Sequence, residues 1–251
     1  MSTTSEAALA GRRALVTGGS RGIGAATVRR LAADGAAVAF TYQSSPDAAQ
    51  DLVDELEATG AKVAAIKADS ADALAVAAAV DEAVERLGGL DILVNNAGVA
   101  QGAPIESFPL EDFDRMLAIN VKAVFAAIQR AVPHLGAGGR IITIGSVNAD
   151  RVPTAGFSVY ALTKAAVAGL TRGLVRELGP RGITVNTIQP GPVATDMNPD
   201  EGDFADELRP LIAVGQYGQP RDIASAVAYL AHPESWFVTG VTWNIDGGFV
   251  I

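Results

Sequence analysis

The sequence predicts an α/β architecture: one doubly wound domain with a sheet of about seven parallel strands flanked by helices. Three observations carry that expectation. Short apolar runs of strand length alternate with segments of helical periodicity along all 251 residues, which implies parallel pairing through right-handed crossovers covered on both faces. The composition is 49% apolar with 27 glycines, enough for a sizeable core and many tight turns. No linker-like break, low-complexity tract or fixed-period repeat interrupts the alternation, so residues 1–251 read as a single domain.

Taken in order, Ala14-Leu15-Val16 reads as the first strand, and a helix over about 22–34 follows and stops at Gly35. A second strand spans 37–41, and Pro46 opens a helix to about Thr59. A third strand at 62–66 leads to a helix over 71–87, which ends at Gly88-Gly89. The fourth strand is 91–94, with a long helix over about 110–132. The fifth is 140–144, and the helix carrying Tyr160 runs from about 156 to 178, with Gly179 as its stop. A sixth strand at 183–188 precedes a loop rich in Pro, Gly and Asp and a short helix near 204–214. Pro220 opens the last helix, to about Ala231, and 241–245 is the seventh strand.

Charge and rare residues exclude several functions. A formal net charge of -9 argues against a non-specific nucleic-acid surface, which needs clustered Lys and Arg. Zero cysteines remove disulfides and thiolate chemistry and are compatible with a reducing cytoplasm. The two histidines, His134 and His232, lie far apart without neighbouring ligand patterns, so no metal site is expected. The stretch from Met1 to Ala10 lacks a basic segment followed by a long apolar run, and no run approaches about 18 uninterrupted apolar residues. A cytoplasmic protein with no membrane segment is expected.

The chemistry concentrates between Ser146 and Lys164. Tyr160 and Lys164 are four apart in a helical segment and therefore share a face. Free tyrosine, with a pKa of about 10, is a poor acid near neutrality, and an adjacent ammonium favours the phenolate and lowers that value. Ser146 follows the strand at 140–144, where its hydroxyl is placed to hydrogen-bond an oxygen that Tyr160 protonates or deprotonates. The implied reaction is proton transfer to or from a carbonyl or an alcohol.

Thr17-Gly18-Gly19-Ser20-Arg21-Gly22-Ile23-Gly24 lies between the first strand and first helix, where glycines let a pyrophosphate approach the helix N-terminus. The Gly-x-x-x-Gly-x-Gly spacing reads either as an ordinary glycine turn or as the dinucleotide-binding turn of a Rossmann-type fold, and its position in the first βα unit favours the second. An NAD-specific site places an acid after the second strand. Here Tyr42-Gln43-Ser44-Ser45 offers none, while Arg21 offers a cation, so NADP is the expected cofactor. Asp69 reads either as an acceptor for an adenine amino group or as a helix cap. Asn95-Asn96-Ala97-Gly98 reads as a turn or a cofactor wall, and Asn120 as an amide with a specific partner or a satisfied core group. Pro190-Gly191-Pro192-Val193-Ala194-Thr195 follows the sixth strand at the edge where ligands bind.

Together these residues resemble the short-chain dehydrogenase/reductase family along essentially the whole chain. The loop from Thr17 to Gly24, Asp69, Asn95 to Gly98, Asn120, Ser146, Tyr160, Lys164, Pro190-Gly191 and Thr195 occur in that family's order and spacing. The ending from Thr239 to Gly248 is similar to that of the 3-oxoacyl-carrier-protein reductases and related bacterial ketoreductases. The resemblance implies a tetrad in which Tyr160 is the general acid and Lys164 lowers its pKa and holds the nicotinamide ribose. Ser146 polarises the substrate oxygen, and Asn120 anchors a water that relays protons to Lys164. It implies NADPH contacts from Gly18, Ser20, Arg21, Gly22, Ile23 and Gly24, from Tyr42, Gln43 and Ser44, and from Asp69 and Ser70. Asn96, Ala97 and Gly98 would form a wall, with Pro190, Gly191, Val193 and Thr195 at the carboxamide end. The substrate is then a small ketone or its alcohol, and the assembly a homotetramer joined through helices 110–132 and 156–178.

A second resemblance keeps a rival function in view. Ile144-Gly145-Ser146-Val147-Asn148, Gln189-Pro190-Gly191-Pro192 and the intervening Arg151 are similar to a cyclic-di-GMP-binding biofilm-dispersal member of the family, which implies a cyclic-dinucleotide-binding regulator on the same fold. The variable stretch at about 194–215 is expected to form a substrate lid. Val147, Asn148, Phe157, Met197 and Phe204 are expected to line an apolar pocket beneath it.

Overall fold

The computed structural model describes residues 7–251, so most of the stretch from Met1 to Ala10 lies outside the described residues. Among the described residues there are seven strands: β1 Arg13–Val16, β2 Ala37–Tyr42, β3 Val63–Lys67, β4 Ile92–Asn95, β5 Arg140–Ile144, β6 Thr184–Pro190 and β7 Thr242–Ile245. They form one sheet in the order β3-β2-β1-β4-β5-β6-β7, and every pairing is parallel. The chain enters at β1, builds outward to β3, then returns to place β4 on the other side of β1. That reversal opens a crevice at the strands' C-terminal ends, between β1 and β4, where ligands of such sheets bind.

Alternation along each strand divides the core into two layers. Ala14 and Val16 face the layer containing Val28 and Leu31 of α1 (Gly22–Ala33), Leu52 of α2 (Pro46–Glu57) and Val227 and Leu230 of α8 (Pro220–Ala231). Leu15, between them, faces Val80 of α3 (Ala73–Leu87), Ile128 of α5 (Ala123–Ala131) and Val167 of α6 (Ser158–Leu178). A third, smaller cluster joins Val147, Ala205, Leu208, Ile212, Tyr217 and Phe249, with Ala205 and Leu208 contributed by α7 (Asp203–Leu208).

Beyond shifts of one or two residues at strand and helix ends, four boundaries differ from the sequence expectation, each for a local reason. The Asp69 and Asp72 carboxylates accept from the backbone N–H of Ala71 and Leu74, forming a capped turn that delays α3 to Ala73. The segment near 204–214 begins one residue early, at Asp203, and leaves the α-helix at Leu208, before Pro210, finishing as a 3₁₀ turn, Arg209–Leu211. The helix carrying Tyr160 starts at Ser158 because Gly156 has φ +87°. The long helix is α4 (Leu110–Leu117) and α5 joined by a π-helical turn, Ala118–Lys122, with Asn120 inside it.

That run, Leu110–His134, is long and apolar enough to cross a membrane by length and composition. Here it packs as a core helix: Ala123, Val124, Ala127, Ile128 and Ala131 are buried in the layer shared with α3 and α6.

Candidate active site

The glycine loop leaves β1 at Thr17 and is held from three sides. Thr41 Oγ1, at the end of β2, accepts from Gly18 N–H at 2.9 Å. Asn96, just past β4, donates through Nδ2 to the carbonyls of Thr17 and Gly18, both at 2.9 Å. Thr17 Oγ1 in turn accepts from the N–H groups of Asn96 and Ala97. The Asn96 amide therefore braces the loop. A Cβ at Gly24 would lie 2.1 Å from Gly18 O and 2.6 Å from Asn96 Nδ2, so only glycine lets α1 begin this close to the loop. Arg21 is the extended N-cap, and no side chain caps the helix. Its first N–H groups are thus left for an anion, and the loop fits the pyrophosphate of a dinucleotide.

The flanking candidates lie along the same edge. Tyr42 is half-buried against the α1–α2 layer, while Gln43 and Ser44 are exposed. Asp69 is exposed, with Oδ1 taken by Ala71 N–H at 2.8 Å, so it does serve as a turn cap and keeps its second oxygen. Ser70 borders a small internal cavity with Thr17, Thr41, Asn95 and Ala97. Thr195 is beside Gly22, whose Cβ would stand 3.5 Å from Thr195 Cγ2. The Arg21 guanidinium approaches Asp196 at 3.9 Å, with both side chains largely exposed, a pair too solvated to hold the arginine. Pro190 ends β6, and a Cβ at Gly191 would strike Asp246.

Asn120, Ser146, Tyr160 and Lys164 converge beside this edge. Asn120 is 2% exposed and fully bonded: Oδ1 accepts from Val99 N–H at 2.9 Å, while Nδ2 donates to Val99 O at 2.8 Å and Thr163 Oγ1 at 3.1 Å. Its side chain thus ties the π-helical turn to the segment after β4 and to α6. Lys164 is buried and donates from Nζ to Ile144 O at 3.1 Å, and Nζ lies 5.6 Å from the Tyr160 ring centroid. A Cβ at Gly98 would stand 3.3 Å from Asn120 Oδ1 and 3.5 Å from Lys164 Nζ, so Gly98 lies beside both. Ser146 is buried just past β5 and accepts from Asn148 N–H.

Desolvation dominates the electrostatics. Burial raises the Tyr160 phenol above its ordinary value, opposed by the Ser146 hydroxyl. Burial lowers Lys164 to about 8. The expectation that Lys164 lowers Tyr160 is therefore corrected for this state. The ammonium is itself desolvated and engaged with a carbonyl, and the phenol's loss of water outweighs any help it receives.

Phe157 meets Tyr160 edge-on, with centroids 6.4 Å apart, and stacks on Phe204 of α7 at 6.2 Å. Met197 and Phe204 are exposed and Asn148 is half-buried. Val147 is a correction: it is 3% exposed and packed with Leu208, Ile212 and Phe249, because the 3₁₀ turn after Ser146 places it in the third core cluster rather than on a pocket wall.

Sequence reasoning passed over three threonines. Thr17 and Thr41 brace the loop, and Thr163 joins Asn120 to the Tyr160 carbonyl, to which it donates at 2.7 Å. Their position within the quoted motifs was the available signal, since a threonine beside a glycine loop or between Tyr and Lys supplies a hydroxyl where backbone needs one. Among the described residues no group of three or more His, Cys, Asp or Glu side chains could hold a metal ion.

A family model described as enoyl-(acyl carrier protein) reductase matches residues 18–250. The chain is 48% identical over 242 residues to the cyclic-di-GMP-binding biofilm dispersal mediator protein of Escherichia coli (strain K12), covering 96% of this chain and 98% of the relative. It is 39% identical over 240 residues to the 3-oxoacyl-[acyl-carrier-protein] reductase of Staphylococcus aureus (strain Mu50 / ATCC 700699), covering 94% and 97%. Among solved structures it is similar to a short chain dehydrogenase from Burkholderia cenocepacia J2315 in complex with NADP. The TM-score is 0.96 at 53% identity, over 97% of this chain and all of the other.

Proposed function

The chain belongs to the short-chain dehydrogenase/reductase family of oxidoreductases, and from that premise we propose that it reduces a ketone, or oxidises the matching secondary alcohol, with NADPH or NADP. The carrying observation is the convergence of Asn120, Ser146, Tyr160 and Lys164 beside Gly98, on the sheet edge that also holds the glycine loop. Gly18, Gly22, Gly24 and the N-terminus of α1 would hold the pyrophosphate. Arg21, Gln43 and Ser44 would hold the ribose phosphate, Asp69 and Ser70 the adenine side, and Pro190, Gly191, Val193 and Thr195 the carboxamide end. NADPH, when bound, supplies the hydride. Ser146 fixes the carbonyl oxygen by donating to it, and Tyr160 delivers the proton from its phenol oxygen. Lys164 holds positive charge beside Tyr160, and a water on the backbone at Asn120, whose side-chain amide is already fully bonded, passes protons inward from solvent. The stretch at about 194–215 serves as the lid, with Phe157, Phe204 and Met197 facing an apolar substrate. Leu110, Phe125 and Leu162, exposed on α4, α5 and α6, support assembly as a homotetramer.

The test is NADPH oxidation across ketones, β-keto esters, acyl thioesters and quinones. Turnover of a ketone is expected. No turnover with any of them, together with tight cyclic di-GMP binding, would move the protein to the regulatory reading. That reading is not favoured here, since all four tetrad residues are present and Arg151 donates to the Ile251 carbonyl.

The cofactor choice gives a quantitative expectation. A guanidinium–phosphate contact is worth about 1.5–3 kcal/mol, or roughly 10–150-fold. NADPH should therefore exceed NADH in kcat/KM by at least about tenfold, and Arg21→Ala should erase most of the gap. Adding Tyr42→Asp should tilt the enzyme towards NADH, because a carboxylate there repels a 2′-phosphate. Equal efficiency with NADH in the unmodified enzyme would sink the assignment.

A further inference from the structure

The segment after β7, residues 246–251, touches three parts of the site that the proposed reaction does not connect. On one side Asp246 presses on Gly191, in the stretch after β6 proposed to hold the carboxamide: Gly191 N–H donates to Ile245 O at 3.1 Å, and a Cβ on Gly191 would fall 2.6 Å from Asp246 Cβ. The Asp246 carboxylate then turns the chain back on itself, accepting from Gly248 N–H and Val250 N–H, both at 3.0 Å. On a second side this turn abuts the end of the lid. Gly247 O accepts from Val214 N–H at 3.1 Å. Gly247 and Gly248 have φ of +61° and +79°, and a Cβ on either would lie 2.8 Å from Val214 Cγ2 or Ala213 Cβ. The close approach requires glycine at both positions.

The third contact is through Phe249. It is 6% exposed and shares one buried cluster with Val147, the neighbour of Ser146, and with Ala205, Leu208 and Ile212 of the lid. Ala205 adjoins Phe204, and Phe204 stacks on Phe157, which meets the Tyr160 ring edge-on. A continuous packed path thus runs from Phe249 through α7 to the ring of the general acid. Arg151, five residues after Ser146, ties the same segment down by donating to Ile251 O at 2.8 Å.

We propose that Phe249, oriented by the Asp246 turn, is a positioning residue that sets where the lid closes, and so determines substrate fit rather than chemistry. The inference rests on the proposed lid and, for its kinetic arm, on the ketone-reductase reading. Closely packed interiors relax incompletely when a large side chain is removed. Phe249→Ala therefore leaves space beneath α7, the lid loses its fixed seat, and Phe204 no longer holds its place against Phe157. The third cluster contains no residue of the glycine loop or α1, so the effect is expected at the lid rather than at the pyrophosphate turn.

The experiment uses the full chain saturated with NADPH. In Phe249→Ala the amides of Ile212 and Val214 should exchange with deuterium at least about tenfold faster, while that of Thr187 in β6 stays unchanged, as local opening requires. With an accepted ketone, KM should rise by about tenfold or more with kcat within about threefold, and Phe249→Leu should recover most of the loss. Lid exchange equal to that of the unmodified protein, acceleration shared equally by Thr187, or an unchanged KM for an accepted ketone would overturn the proposal. If no ketone is turned over, the reductase reading fails and exchange alone decides the positioning role. Should Phe249→Ala not fold, Asp246→Ala removes both carboxylate acceptors of the Gly248 and Val250 N–H groups while keeping the ring, and the same pair of exchange results decides.

Discussion

Tyr160→Phe is expected to lose about 10²–10⁴-fold in kcat for ketone reduction, the usual worth of a positioned general acid. The phenol oxygen is the only part removed. The ring keeps its edge-on contact with Phe157 and its place near Lys164 Nζ, so the fold of α6 and the seat of the cofactor stay intact. NADPH affinity should remain within about threefold, since the ring contributes packing that phenylalanine reproduces. The structure also gives the pH direction. Burial raises the phenol, so in the reducing direction the acid stays protonated across neutral pH, and kcat declines only on the alkaline side. Stopped-flow NADPH oxidation and fluorescence titration of the cofactor check the two halves separately. A variant retaining more than about a tenth of the rate would remove Tyr160 from the role of acid.

Much of this site was legible because its residues sit where topology sends them. A parallel sheet delivers the C-terminal end of every strand to one edge, so motifs following β1, β4, β5 and β6 had to converge once the strands were identified. The glycine loop was readable for the same reason: the spacing that excludes Cβ atoms from Gly24 and its neighbours is a property of sequence. What stayed hidden depends on local competition. The π-helical turn around Asn120 leaves no periodic trace, since one extra residue per turn is smaller than the noise in an apolar pattern. Val147 reads as a pocket residue by its position after Ser146. Its true environment is set by Phe249, about a hundred residues away, and no local pattern reports that contact. The Tyr160 electrostatics failed for a related reason. Spacing shows that Lys164 shares a face with the phenol, whereas the depth to which both are buried decides which effect wins.

Lys164→Met should be the more damaging change for the cofactor, lowering NADPH affinity by about tenfold or more while also costing at least about 10²-fold in kcat. The side chain is buried, its Nζ donates to Ile144 O, and Gly98 keeps Cβ away from it, so this ammonium is built into the site rather than lying on its surface. Methionine fills similar volume without a donor or charge. The pH dependence separates this role from simple packing. Burial lowers Lys164 to about 8 in the folded protein, below the free value, because the charged form loses its hydration. As pH rises through about 8 the folded protein gives up this proton while the unfolded chain still holds it. NADPH affinity should therefore fall across that window in the unmodified enzyme and stay flat in Lys164→Met. Stability moves the other way: between about 8 and the free value of 10.5 the unfolded state binds more protons, so the unmodified protein gains stability relative to the variant as pH rises. Cofactor titrations and thermal melts of both proteins from pH 6.5 to pH 9.5, a range bracketing that value of about 8, read the two trends independently. Parallel curves for the two proteins in both measurements would reduce Lys164 to a packing residue.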